Sequence, residues 1–247
     1  MYYEAHGEGG RPLILIHGGG STVESNWSNV LPLLAAHRTV IAVELQAHGR
    51  TADVDRPETF EQDADDVATL VRQLNLTSVD LFGFSNGGHT AMQIAIRHPR
   101  IVRRMVIASA SYRREGMIDG FFEMMEHASL DNMPAPLKEA FLAVNPDPHA
   151  LQTMHDKDAA RMRTFDDWSD DALRSINAPA LIINADRDVI KTDHAVAMSR
   201  LIPNARLLIV PGTHGSYLGE ACTVVPDSKI PEMVVRVVEE FLDERFA

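Results

Sequence analysis

The run Val79-Asp80-Leu81-Phe82-Gly83-Phe84-Ser85-Asn86-Gly87-Gly88 leads straight into Ala91, Met92, Ile94 and Ala95. Its first half is short and apolar, as a buried parallel strand is, and its second half takes up helical spacing. Between them lies a G-x-S-x-G. A serine at the tip of a tight strand-to-helix turn forces the residues two before and two after it together, and glycine at both places removes the clash. The turn also puts Ser85 at a helix N-terminus, where partial positive charge favours a developing anion.

Outward from this point the same rhythm repeats. Leu13–Ile16, Thr39–Leu45, Met105–Ala108, Ala180–Ala185 and Arg206–Val210 are short runs rich in Val, Ile and Leu. Helix-periodic segments separate them, such as the one behind Thr59-Phe60-Glu61-Gln62 and the one from Ile230 to Leu242. The pattern predicts an α/β fold: a mostly parallel sheet with helices on both faces. Residues 112–165 break the rhythm. They carry four prolines and Met117, Met124, Met125, Met133, Met154 and Met162, six of the chain's eleven methionines. That stretch is expected to be a small helical cap, inserted into a core made of residues 1–111 and 166–247. Methionine adapts to varied apolar shapes, so the cap reads either as a loosely packed subdomain or as a lid over a pocket.

Three loops at the carboxyl edge of such a sheet hold the groups that acyl transfer needs. Ser85 follows one strand, Asp186-Arg187-Asp188 another, and Pro211-Gly212-Thr213-His214 a third. A serine nucleophile needs a base, and the base needs a carboxylate to orient it. His17-Gly18-Gly19-Gly20 follows the strand Leu13–Ile16 and has no basic neighbour or P-loop lysine. Its backbone N–H groups, with that of Asn86, suit a developing oxyanion better than a phosphate. His48 follows a strand and braces or lines the same edge. His149, His155, Asp156 and Asp158 fit no metal-ligand spacing, and no metal is expected.

The whole chain of 247 residues has 23 basic and 35 acidic side chains, a formal net charge of −12. Such a surface repels phosphate backbones and anionic lipid, so neither nucleic acid nor membrane is an expected partner. One cysteine, Cys222, allows no internal disulfide. Met1-Tyr2-Tyr3-Glu4 has neither a basic segment nor an apolar one, which places the chain as given in the cytoplasm. Nothing in the sequence reads out an oligomeric state.

Together these residues resemble the α/β-hydrolase superfamily. The order Ser85, Asp, His214 is that fold's triad order, and Glu44-Leu45-Gln46-Ala47-His48-Gly49-Arg50-Thr51 resembles its D-x-R-G-H-G-x-S stretch. The resemblance implies a serine hydrolase acting on a small-molecule carboxylic ester or lactone with no cofactor. Ser85 would be the nucleophile, His214 the base and Asp188 the acid, with Asp186 the alternative acid on the same turn. Gly19 and Asn86 would form the oxyanion hole, with Gly20 the alternative to Gly19. Gly20, Trp27, Met117, Phe121, Met125 and Trp168 are the expected pocket residues. A carbon–carbon hydrolase of the meta-cleavage type, a cofactor-free perhydrolase and a non-catalytic receptor are the alternatives. Glu44 and Gln46 depart from the family's Asp and Arg, and Ala185 from its Gly. Tyr2–His6 looks like the family's second strand, which leaves an upstream signal segment open.

Overall fold

Leu13–Ile16 (β2) has four fully buried side chains and lies inside the sheet, as its unbroken apolar run requires. A computed structural model describes residues 1–244. Tyr2–His6 (β1) pairs antiparallel with Val40–Glu44 (β3), and Val79–Phe84 (β4), Val102–Ala108 (β5), Ala180–Arg187 (β6) and Ala205–Thr213 (β7) continue the sheet in parallel. The order is β1-β3-β2-β4-β5-β6-β7, so β4 lies at the centre and its carboxyl end at the middle of the sheet's edge.

Two apolar layers sandwich the sheet because alternate residues of each strand face opposite ways. Ile14, Leu81 and Ile107 pack under Phe60–Gln73 (α3) and Asn86–Arg97 (α4). Leu15, Phe82 and Val106 pack on the other side, against Val23–Trp27 (α1), Leu31–Leu34 (α2) and the carboxyl-terminal helix Ile230–Leu242. Thr59 caps α3, its side chain accepting from Gln62 N–H.

Between β5 and β6 the chain is helical: Phe121–Glu126 (α5), Ala135–Val144 (α6), Pro148–Arg163 (α7) and Asp170–Arg174 (α8). α6 and α7 share a small apolar cluster of Met133, Phe141, Leu151 and Met154 together with Ala47 from the loop after β3, while α5 packs on a second cluster with Phe60, Met117 and Met162. The Ala47 contact seats α6 and α7 over the carboxyl edge. Asp170–Arg174 packs on α4 and on Thr192–Leu201 (α9) instead. The strands run further than their apolar cores suggest, β6 to Arg187 and β7 to Thr213, because ladder hydrogen bonds continue past the last buried side chain.

Candidate active site

Ser85 sits at φ 53°, ψ −120°, a conformation that L-residues avoid. The turn holds it there. A Cβ on Gly83 would run into Gly87 O, and a Cβ on Gly87 would run into Ile16 O. Both glycines are therefore required by the approach of α4 to β4 and β2. Ser85 N–H donates to Ala108 O at 2.8 Å, fixing the turn to β5.

Ser85 Oγ lies 3.1 Å from His214 Nε2, and His214 Nδ1 lies 2.7 Å from Asp188 Oδ1. His214 follows β7 directly, with its ring against Phe84 at 4.8 Å. Asp188 is buried and its carboxylate only accepts: from His214 and Ile190 N–H on Oδ1, and from Ser109 Oγ (2.5 Å) and Ala185 N–H on Oδ2. Burial alone would push its pKa up; the hydrogen bond and charge of His214 outweigh this and hold it below the ordinary carboxylate range. Ser109 in turn accepts from Tyr217 OH at 2.5 Å, and burial holds that phenol protonated.

The glycine turn faces this line. Gly18 N–H donates to Asn26 Oδ1 (2.7 Å) and Gly20 N–H points at His48 Nε2 (3.3 Å). Among the described residues, the N–H groups of Gly19 and Asn86 donate to no protein acceptor. His17 underlies the turn: its Nδ1–H donates to Gly18 O and its Nε2 accepts from Leu45 N–H. Burial, and then the charge of His48, pull its pKa down to about 3, so it is neutral.

A buried charge network joins this turn to α7. Asp158 Oδ1 accepts from Asn86 Nδ2 at 3.0 Å and from Arg161, and Oδ2 lies 3.9 Å from His48 Nε2. Arg161 also binds Asp63 of α3 at 2.7 Å and faces Glu58 at 3.8 Å. His48 Nδ1–H donates to Gln46 O, so Nε2 can accept from Gly20 N–H only in the neutral ring, and at 3.9 Å it lies beyond hydrogen-bond reach of Asp158 Oδ2. Arg161 and His48 here face three acidic side chains, Asp158, Asp63 and Glu58. Burial alone would lower the His48 pKa, but Asp158 and then Glu58 raise it to about 9. The protonated form thus prevails at neutral pH.

Beside Gly19 and Gly20 opens a cavity of about 450 Å³. Met124, Met125, Met133, Met154 and Met162 line it, with Leu137 and Asp158. Ser85 is partly exposed and packs beside Gly18; the cavity itself is lined by the next two glycines, Gly19 and Gly20.

The family model for the alpha/beta hydrolase family matches residues 13–225. The chain belongs to the alpha/beta hydrolase family. A segment of 105 residues is 35% identical to 2-hydroxy-6-oxo-6-(2'-aminophenyl)hexa-2,4-dienoic acid hydrolase of Metapseudomonas resinovorans, covering 41% of this chain and 36% of that one. The chain therefore spans about a third of that relative's length. A serine hydrolase involved in carbazole degradation superposes with a TM-score of 0.79 at 24% identity, over 98% of this chain and 93% of its own. A thermophilic esterase from Thermogutta terrifontis does so with 0.73 at 22%, over 98% and 93%.

In this alpha/beta hydrolase the acid beside His214 is Asp188. Asp186 points to the other side, where Oδ1 accepts from Gly212 N–H at 2.8 Å. Gly20 and Met125 line the cavity, but four other expected pocket residues do not. Trp27 is fully buried beneath the sheet, its ring 5.0 Å from Phe82, because α1 turns its apolar face inward. Met117 is buried with Phe60, Met162 and Ile190, and Phe121 packs on that cluster. Trp168 lines a separate cleft of about 200 Å³ with Phe60 and Arg161. Asn26 lies in the last turn of α1, and its side chain holds Gly18 N–H.

Sequence reading missed Ser109, Tyr217 and Arg161, and weighed Asp158 only as a metal ligand. Ser109 had a signal: a polar residue directly after a strand at the working edge. The pairing of Asp158 and Arg161 with the site had none, because apart from each other their partners lie 72 or more residues away, in α3, at the start of α4 and in the loop after β3.

Proposed function

We propose that this protein is a serine hydrolase that cleaves the carboxylic ester or lactone of a small to medium, largely apolar substrate. The observation that carries the reading is the continuous line Ser85 Oγ, His214, Asp188, with an accessible hydroxyl and two idle N–H groups beside it. Ser85 attacks the carbonyl carbon while His214 Nε2 takes its proton. Asp188 holds the Nδ1–H tautomer and stabilises the imidazolium. The N–H groups of Gly19 and Asn86 receive the oxyanion, with Gly20 the alternative to Gly19. The tetrahedral intermediate collapses to an acyl-enzyme as the leaving alkoxide takes the proton from His214. Water, deprotonated by the same ring, then releases the acid.

Residues 112–165 serve in this reading as a cap, and the methionine-lined cavity under it accepts the acyl or alcohol group. Five unbranched thioethers supply an apolar wall that adjusts to shape, which supports a substrate range rather than one ligand. A second reading, carbon–carbon bond hydrolysis on the same line, is favoured by the segment shared with the dienoic acid hydrolase.

Ester and lactone turnover, with fluorophosphonate labelling located by peptide mass spectrometry, tests the proposal. Wild type is expected to label at Ser85; Ser85→Ala is expected to stay unlabelled and lose on the order of 10⁴–10⁶ in turnover. A wild type that neither labels nor turns over any ester overturns it. Cleavage of a vinylogous diketone without ester turnover would establish the second reading instead.

A further inference from the structure

We propose that Asp158 determines specificity by reading the substituent next to the scissile carbonyl: it accepts a hydrogen bond from a hydroxyl or ammonium there and repels a carboxylate. This deepens the serine-hydrolase reading and rests on it. Asp158 reaches the reaction centre from α7. The side-chain position of Gly19 is taken by it, for a Cβ built there would collide with Asp158 Oδ2 and lie 2.6 Å from Asn86 Nδ2. Gly19 is thus small because a carboxylate from another element fills the place of its side chain. That place adjoins both the residue after Ser85 and the idle Gly19 N–H.

The two carboxylate oxygens differ. Oδ1 is occupied by Asn86 and Arg161. Asp158 lines the cavity, and among the described residues its Oδ2 has no donor nearer than His48 Nε2 at 3.9 Å. The group stays ionised: burial opposes this, but Arg161 and then His48 hold its pKa well below the usual range. The cavity lining contains no Lys or Arg among the described residues, and His48, 3.9 Å from Oδ2, is not part of that lining, so an anionic substrate meets the carboxylate of Asp158. Arg161 is no substitute, being buried and shared among Asp158, Asp63 and Glu58. A free acceptor in a buried site discriminates strongly, since a donor satisfies it and a like charge does not.

Three methyl esters of similar size separate the cases: butyrate, 2-hydroxybutyrate and the malonate half-ester. For wild type, kcat/KM is expected to be about tenfold higher for the hydroxy ester than for butyrate, and at least tenfold lower for the half-ester. Asp158→Asn keeps the shape and removes the charge, and is expected to raise the half-ester-to-butyrate ratio about tenfold. Asp158→Ala is expected to abolish the hydroxy preference. These are ratios within one variant, so a general loss of folded enzyme does not move them. A wild type that prefers the half-ester to butyrate overturns the proposal, as do ratios unchanged in both variants. Wild type that labels at Ser85 yet shows either result sinks this proposal alone; wild type that neither labels nor turns over removes the parent reading too.

Discussion

Asp188 and Asp186 are two residues apart on one turn, and their environments assign them different work. Asp188 receives four donors inside the protein, while Asp186 ties Gly212 N–H at the exposed side. Asp188→Asn has an acceptor on one arm only, so it cannot serve both His214 Nδ1–H and the donors on the other oxygen, and it lacks the charge that stabilises the imidazolium. Its kcat is expected to fall on the order of 10⁴, with KM little changed. Asp186→Asn removes only a surface acceptor and is expected to stay within a few-fold of wild type. Steady-state kinetics on one p-nitrophenyl ester compares the two; equal effects would reverse the assignment. The hydrogen bond and charge of His214, and after them the Ser109 hydroxyl, explain why a carboxylate can be buried there without becoming protonated.

At the scale of elements, α7 performs two tasks. Its apolar face, with Leu151 and Met154, packs on Met133 and Phe141, and its polar face carries Asp158 and Arg161 into the protein. Arg161 anchors the helix to α3 through Asp63, so the wall of the cavity is fixed to the sheet by charge as well as by apolar contact. Met154 is fully buried and lines the cavity, which makes it a lever on substrate length. Met154→Trp is expected to shorten the preferred acyl chain. The octanoate-to-acetate ratio of kcat/KM for p-nitrophenyl esters should fall about tenfold, without loss of Ser85 labelling. An unchanged ratio would place the acyl chain elsewhere.

Over the whole molecule, the charge network couples stability to pH. His48 has a pKa raised from its ordinary 6.5 to about 9, so its contribution is complete below 6.5 and lost as pH rises through 9. Asp63 and Glu58 are pushed up by burial to about 6 and about 7 despite Arg161, so folding favours their protonated forms; that contribution also fades as pH rises through those values. Asp158 and Asp188 have the opposite sign, with stability present above the ordinary carboxylate pKa and lost in stronger acid. Urea midpoints are therefore expected to decline from mildly acidic pH towards 9.5. In His48→Gln the loss between pH 6.5 and 9, up to about 3 kcal/mol in wild type, should vanish. Parallel profiles for the two proteins would show that His48 is not the source.

The alternation of short apolar runs with helical periodicity was enough to write down the sheet, and the glycines around Ser85 were enough to mark its turn, because both follow from local sterics and from which faces must be buried. The same logic put Ser85, an aspartate and His214 at one edge. What the chain alone left undecided was every contact between elements distant in sequence: which aspartate meets His214, that Trp27 turns into the core, and that Asp158 and Arg161 arrive beside Gly19. Side-chain direction at a sheet edge depends on how far each strand's ladder runs, and a buried ion network depends on partners that only the packing of α7 against α3 brings together. Residue type and spacing contain the first kind of information; the second exists only once the elements have docked.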